Sequence, residues 1–168
     1  MSEFETVYRA NIGTIAAFFA RRHGEPQTVA DLTSETFVEA IGSFGTFDAR
    51  KGTARAWLFG VARHVHARHC AQVASGQETT RALAGRRDLD DEELDELAAK
   101  IDAQRAGREL IERWGRLPAV EREAVELVDL AGLTPKEAAL TLGISPGAMR
   151  VRLFRARARL RKEQDSNG

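Results

Sequence analysis

Apolar positions along the chain recur at helical spacing, and no stretch alternates in the two-residue period of a strand. In the first segment Phe4, Tyr8, Ile12, Ile15 and Phe19 follow one another at intervals of 4, 4, 3 and 4, which places them on one helix face. Gly24-Glu25-Pro26 breaks that pattern. Val29, Leu32, Phe37, Ala40, Ile41 and Phe44 predict a second helix, closed by the loop from Gly45 to Gly52. Ala54, Trp57, Leu58, Val61 and Val65 predict a third, with Phe59 and Arg63 on its opposite face. Three amphipathic helices in succession predict a compact helical bundle over residues 1–75.

Residues 76–102 break the pattern. Ser75-Gly76-Gln77 opens a polar stretch, and Asp88 to Glu96 is a dense acidic run, which reads as a solvated linker with a short helix near Leu94 and Leu97. Periodicity returns in residues 103–168, where four helices are expected. The first runs from Ala103 to Arg116, and Pro118 leads into the second, Ala119 to Leu130. Thr134-Pro135-Lys136-Glu137 then combines a capping box with proline at the first helical position. That third helix carries Ala138, Ala139 and Leu142 and stops at Gly143, in the place of a C′ glycine. Only Ile144 separates it from Ser145-Pro146, a second cap followed by proline, and the last helix is expected to run to about Lys162. Two helices joined by so short a glycine-containing turn describe a helix-turn-helix. The expected fold is therefore all-α: two small helical bundles joined by an acidic linker, the second holding a helix-turn-helix.

Charge sharpens this division. The 25 basic and 25 acidic residues cancel over the whole chain. Yet residues 1–75 hold 8 Lys/Arg against 7 Asp/Glu, residues 76–102 hold 4 against 9, and residues 103–168 hold 13 against 9. A basic last third behind an acidic spacer points to a nucleic-acid partner. No run approaches the roughly 18–20 apolar residues of a membrane span, so direct membrane insertion is not expected. The acidic N-terminus has no signal-peptide core, and Cys70 is the single cysteine, so a reducing cytoplasm is the expected location.

Candidate chemistry concentrates on the last helix. Arg150, Arg152, Arg155, Arg157, Arg159, Arg161 and Lys162 lie between Pro146 and Lys162 with no acid among them. At 100° per residue Met149, Leu153, Ala156 and Leu160 share one narrow sector, the expected core face. Val151, Phe154, Arg155 and Ala158 fall opposite, a face suited to a major groove, with base edges met by its N-terminal half and phosphates by the remaining arginines. His64, His66, His69 and Cys70 invite a metal reading, but no second Cys/His pair has zinc spacing, and His23 belongs to another helix. Solvated or phosphate-facing histidines are the plainer expectation, with no metal. Asp31 and Glu35 share a helix face, yet no nucleophile or glycine-rich phosphate loop accompanies them. A docking surface is expected there, and no enzyme, cofactor or small-molecule substrate.

These residues resemble a known family. Leu117 through Arg161, with Glu121-Arg122-Glu123-Ala124, Gly132 to Ala139 and Leu142 to Met149, is similar to the region 4 domain of extracytoplasmic-function sigma factors. Asp31 to Phe37 resembles the polymerase-binding helix of their region 2 domain, and Ala56 to Arg63 its melting and recognition helix. The resemblance implies region 2 over 1–75, a linker over 76–102 and region 4 over 103–168. It implies that Asp31, Leu32, Glu35 and Phe37 bind core RNA polymerase. It implies further that Asp48, Arg50, Lys51, Arg55, Phe59, Arg63 and His66 hold the downstream promoter element. Thr134, Lys136, Ser145, Gly147, Arg150, Val151, Arg152, Phe154, Arg155 and Arg157 would contact the upstream element. Core polymerase and promoter DNA are the implied partners, and an anti-sigma factor is a further candidate. The chain departs from the usual pattern at Ser34, where the group has Gln, and at His64, where it has Asn. It departs again at Arg68-His69-Cys70-Ala71, where an Asp and paired arginines are favoured. A stand-alone helix-turn-helix regulator, similar to LuxR-type DNA-binding domains with 1–75 as a partner-binding domain, is the alternative. An enzyme built on His66, His69 and Cys70 is a distant third.

Overall fold

A computed structural model describes residues 3–76 and 108–166, and every described element is helical. The chain divides into two compact units, residues 1–106 and 107–168. The acidic run and the helix expected near Leu94 lie outside the described residues.

The first unit packs α1 (Glu3–Ala20), α2 (Pro26–Ser43) and α3 (Ala54–Ala74) against one another. Pro26 opens α2 at its first position, where a missing N–H costs nothing. A 3₁₀ turn, Phe44–Thr46, leads from α2 into the loop before α3. Thr53 caps α3, its hydroxyl accepting from Ala56 N at 3.3 Å. Ile15, Phe18, Phe19, Val29, Leu32, Phe37, Leu58, Phe59 and Val65 form the core. Aromatic edges tie it together: Tyr8 meets Phe37 at 4.8 Å between ring centroids, and Phe18 meets Phe59 at 5.7 Å.

One expected stripe is rotated, and another is interrupted at a single position. On α3 the buried positions are Ala56, Leu58, Phe59, Ala62 and Val65, while Trp57 and Val61 are only half-buried. Both stripes share Leu58 and Val65, so period alone does not separate them. The Phe18 ring decides, because it gives Phe59 an aromatic partner inside the bundle. On α2, Ile41 is exposed rather than buried.

The second unit contains α4 (Arg108–Gly115), α5 (Ala119–Val125), α6 (Pro135–Leu142) and α7 (Pro146–Ser166). The helix expected from Ala119 to Leu130 changes character midway, with a π-helical turn over Glu126–Leu130. Ala131 N donates to Glu126 O at 2.8 Å, an i→i−5 bond, and Leu133 N reaches Leu127 O at 2.9 Å beyond Gly132, whose φ is +72°. The wider turn leaves Leu127, Ala131 and Leu133 all buried against Ala124, Val125, Ala138, Met149, Leu153 and Ala156. The last helix extends past the expected Lys162 to Ser166.

Candidate nucleic-acid interface

The turn between α6 and α7 is fixed by local chemistry at both ends. Thr134 Oγ1 accepts from Glu137 N at 3.2 Å, while Thr134 N donates to Glu137 Oε2 at 2.8 Å, completing a capping box. At the other end Gly143 takes φ +65°, Ile144 N donates to Ala139 O at 3.0 Å and Gly143 N to Leu140 O at 3.2 Å. This pair of bonds is a Schellman motif. Ser145 then caps α7, accepting from Ala148 N at 3.1 Å. Every device here lies within six residues of its partner, so the geometry of the helix-turn-helix is written locally.

Met149, Leu153 and Ala156 seat α7 on the unit's core, and Leu160 is half-buried. The opposite side presents Arg150, Val151, Phe154 and Arg155 to solvent, with Phe154 69% exposed. Arg152 is half-buried at the flank. Among the described residues Arg150, Arg152 and Arg155 have no acidic partner. Arg157 does: its Nη2 donates to Asp129 Oδ1 at 2.6 Å and its Nε to Oδ2 at 3.3 Å. The hydrogen bond it donates to Asp129 holds the guanidinium's pKa above its ordinary value, against a smaller opposing effect of burial. Arg159 pairs with the nearly buried Glu121 at 3.0 Å. Arg113 on α4 donates to Leu160 O at 2.8 Å. The C-terminal half of α7 is thus clasped to its own unit, and Arg157, still half exposed, takes part in that clasp. Thr134, Lys136, Ser145 and Gly147 are exposed around the turn.

In the first unit the loop before α3 is organised by its own charges. Asp48 Oδ1 accepts from Arg50 N at 3.0 Å and from Arg50 Nε at 2.9 Å, while Oδ2 accepts from Nη2 at 2.9 Å. The hydrogen bonds from Arg50 lower the Asp48 pKa and raise that of Arg50. Asp48 therefore works as a turn former, and Arg50 carries a neutralising carboxylate, while Lys51 is exposed beside them. Behind the loop Phe44, Phe47 and Trp57 gather, Phe47 lying 5.5 Å and Phe44 6.0 Å from the Trp57 ring, all three half-buried. Arg55 is steered by Asn11, a buried residue of α1 whose Oδ1 accepts from Arg55 Nε at 2.9 Å and whose Nδ2 donates to Val7 O at 2.8 Å. Asn11 was not among the expected site residues; its only signal is an amide standing among the apolar positions of α1.

Several expected contacts are corrected by burial. Phe59 is fully enclosed and cannot reach DNA. Leu32 and Phe37, 3% and 6% exposed, belong to the bundle core and cannot meet a polymerase surface. His66 is half-buried against Phe18 and Phe19 instead of facing phosphate. Glu35 points across to α3, where Arg68 Nη2 lies 2.5 Å from its Oε1 and also pairs with Glu39. Burial works against the charge on Arg68, but the bonds to Glu39 and Glu35 outweigh it and raise its pKa. What α2 leaves exposed is Asp31, whose carboxylate accepts from Gln27 at 2.7 Å, followed by Val38 and Ile41. Arg63 is half-buried on α3.

Comparison with known proteins bears on both units. Residues 7–75 match the family Sigma-70 region 2, and residues 107–160 match Sigma-70, region 4. The ECF RNA polymerase sigma factor SigC of Mycobacterium tuberculosis is 38% identical over 133 residues, covering 76% of this chain and 65% of that protein. The chain therefore spans just under two thirds of that relative's length. The ECF RNA polymerase sigma factor SigF of Caulobacter vibrioides is 32% identical over 143 residues, covering 84% of this chain and 74% of that protein. Among solved structures, CnrH in complex with the cytosolic domain of CnrY aligns with a TM-score of 0.61 at 28% identity, over 98% of this chain and 89% of that one.

Proposed function

The chain belongs to the sigma-70 family, in its extracytoplasmic-function group, and from that premise we propose that it binds core RNA polymerase and directs it to specific promoters. One observation carries the reading at the level of this chain's own surface. A locally braced helix-turn-helix presents Arg150, Arg152 and Arg155 beside the exposed Phe154, while Arg157 and Arg159 further along are paired with Asp129 and Glu121. Cations free of acidic partners next to an apolar side chain suit a groove in which phosphates flank base edges and thymine methyls.

In this reading Thr134, Lys136, Ser145 and Gly147 approach the backbone of the upstream element, while Arg150, Val151, Arg152, Phe154 and Arg155 meet its groove. The downstream element falls to Lys51, Arg55 and Arg63, with the aromatic group of Phe44, Phe47 and Trp57 behind the loop as a surface on which an unstacked base can lie. Docking on polymerase falls to the exposed side of α2, where Asp31 supplies charge and Val38 and Ile41 supply apolar area. An anti-sigma factor competing for such surfaces is part of the proposal, as CnrH is held by the cytosolic domain of CnrY. The chain acts by binding, with no reaction of its own, and works in the cytoplasm where polymerase is found. Among the described residues no helix is long and apolar enough to cross a membrane. A stand-alone regulator is the less favoured reading, because a sensor domain has no reason to match region 2.

The test is reconstitution. Full-length protein added to core polymerase and genomic fragments should yield specific run-off transcripts and permanganate-reactive thymines near the start site. Duplex binding without promoter opening on any fragment would overturn the proposal.

A further inference from the structure

The end of α1 and the C-terminal half of α3 bring His23 together with His66 and His69, which lie more than forty residues further along the chain. Beyond Ala20 the chain continues as a turn in which His23 N donates to Phe19 O at 2.9 Å. This swings the His23 ring over α3, where it meets His66 at 5.3 Å and His69 at 5.2 Å between centroids, edge to face in both cases. His66 packs in turn against Phe18 and Phe19, and the Cys70 sulfur lies 3.6 Å from its Nε2. His23 Nε2 is shielded from solvent and has no hydrogen-bond partner among the described residues. His64, by contrast, is exposed.

Among the described residues no carboxylate acts on His23. On α1 and the turn after it the charged neighbours are Arg21 and Arg22, and Arg22 is held over the Phe18 ring at 3.7 Å with its Nη1 bonded to Phe18 O. On α3 they are His66 and His69 themselves, with Arg63 one turn earlier and Arg68 turned away to Glu35 and Glu39. Just before α2 stands Glu25, which accepts from Thr28 at 3.0 Å. Among the described residues no group of three ligating side chains is arranged to hold a metal.

We propose that His23, His66 and His69 form an acid-sensitive latch, closed while the imidazoles are neutral and loosened when protons place like charges between α1 and α3. Burial first, then the charges of His69 and Arg22, lower the His23 pKa below its ordinary 6.5. A base depressed in the folded state takes its proton more readily in the unfolded chain. The latch therefore contributes its full stability above about pH 6.5 and loses it as pH falls below that value. The latch sits about 16 Å along α3 from Arg55, so it acts on the integrity of the bundle and not on the loop that precedes it. This inference is independent of the assignment to transcription.

The experiment follows the histidine ring protons of the full chain by NMR between pH 5.5 and 8, with His23→Gln, His69→Gln and the exposed control His64→Gln for assignment. His23 should titrate below 6.5, and H69Q should move it upward while H64Q leaves it in place. Urea midpoints should fall as pH drops from 7.5 to 5.5, and fall less in H23Q. A His23 that titrates at or above 6.5, or that ignores the loss of His69, would overturn the latch. These readings stand on the native protein and on H69Q even where H23Q fails to fold.

Discussion

Replacing Phe59 by leucine separates a core role from a DNA-contact role. The side chain is 0% exposed and its ring meets Phe18 at 5.7 Å, so the smaller residue leaves a partly filled space and removes an aromatic pair. Large-to-small changes of this kind cost about 1–2 kcal/mol when the replacement is still large and apolar. A bundle of this size has a total stability of roughly 4–10 kcal/mol. The unit should therefore remain folded in native buffer, with a urea midpoint lower by about 1–2 M at an m-value near 1 kcal/mol/M. Trp57, packed between Phe44 and Phe47 in the same unit, reports that transition in a Trp114→Phe background. If Phe59 were a DNA contact, the same change would instead leave the midpoint in place and weaken promoter opening. Full promoter opening at 25 °C with a lowered midpoint is the expected result. An unshifted midpoint with defective opening would refute the placement of Phe59 in the core.

Three further outcomes are expected. Gly143→Ala meets no neighbouring atom, but it forces a Cβ onto φ +65°, so the second unit should lose about 1–2 kcal/mol in thermal or urea unfolding. Arg150→Ala and Arg155→Ala should each reduce the slope of log affinity against log salt by about one on duplex promoter DNA, whereas Arg157→Ala should change it less because Asp129 already opposes that charge. Ile41→Asp, at a site 61% exposed, should leave helicity by circular dichroism unchanged while preventing co-purification with core polymerase.

Local chemistry was legible in the sequence. The capping box at Thr134, the left-handed Gly143 and the Ser145 cap each depend on residues a few positions apart, and all three appear where the sequence places them. The inward face of α7 was equally legible, because Met149, Leu153 and Ala156 leave one sector for the core. Reading failed where two stripes overlap. On α3 Trp57 and Val61 compete with Phe59 and Ala62 for the interior, and the Phe18 ring, a tertiary neighbour, selects the second pair. On α2 the docking surface was assigned to a motif as a block, so Leu32 and Phe37 were carried along with Asp31 although helical phase turns them inward. The π turn at Glu126–Leu130 has no short-range signature, since it arises from one extra residue accommodated between Val125 and the glycine turn. His23 could not be joined to His66 and His69 from spacing, because the turn after α1 does the joining.

Charge shows the same dependence on tertiary placement, with a consequence for recognition. Counted along the sequence, the stretch from Pro146 to Lys162 carries seven cations and no acid. In the folded unit the acids stand on other elements: Asp129 in the π turn takes Arg157, and Glu121 on α5 takes Arg159. Arg113 on α4 adds a bond to the backbone at Leu160. Such pairs at partly exposed positions contribute only about 0–1 kcal/mol each to stability. Their larger effect is directional, because they fix the C-terminal half of α7 against its unit and cancel charge there. In the N-terminal half, within the first three turns after the Schellman turn, Arg150, Arg152 and Arg155 keep their charge unopposed by any acid among the described residues. That is the half of a recognition helix that reaches base edges. Asp129 stands in the π turn and pairs with Arg157, so a backbone irregularity invisible in the sequence helps to set where the charge of this helix is free to bind.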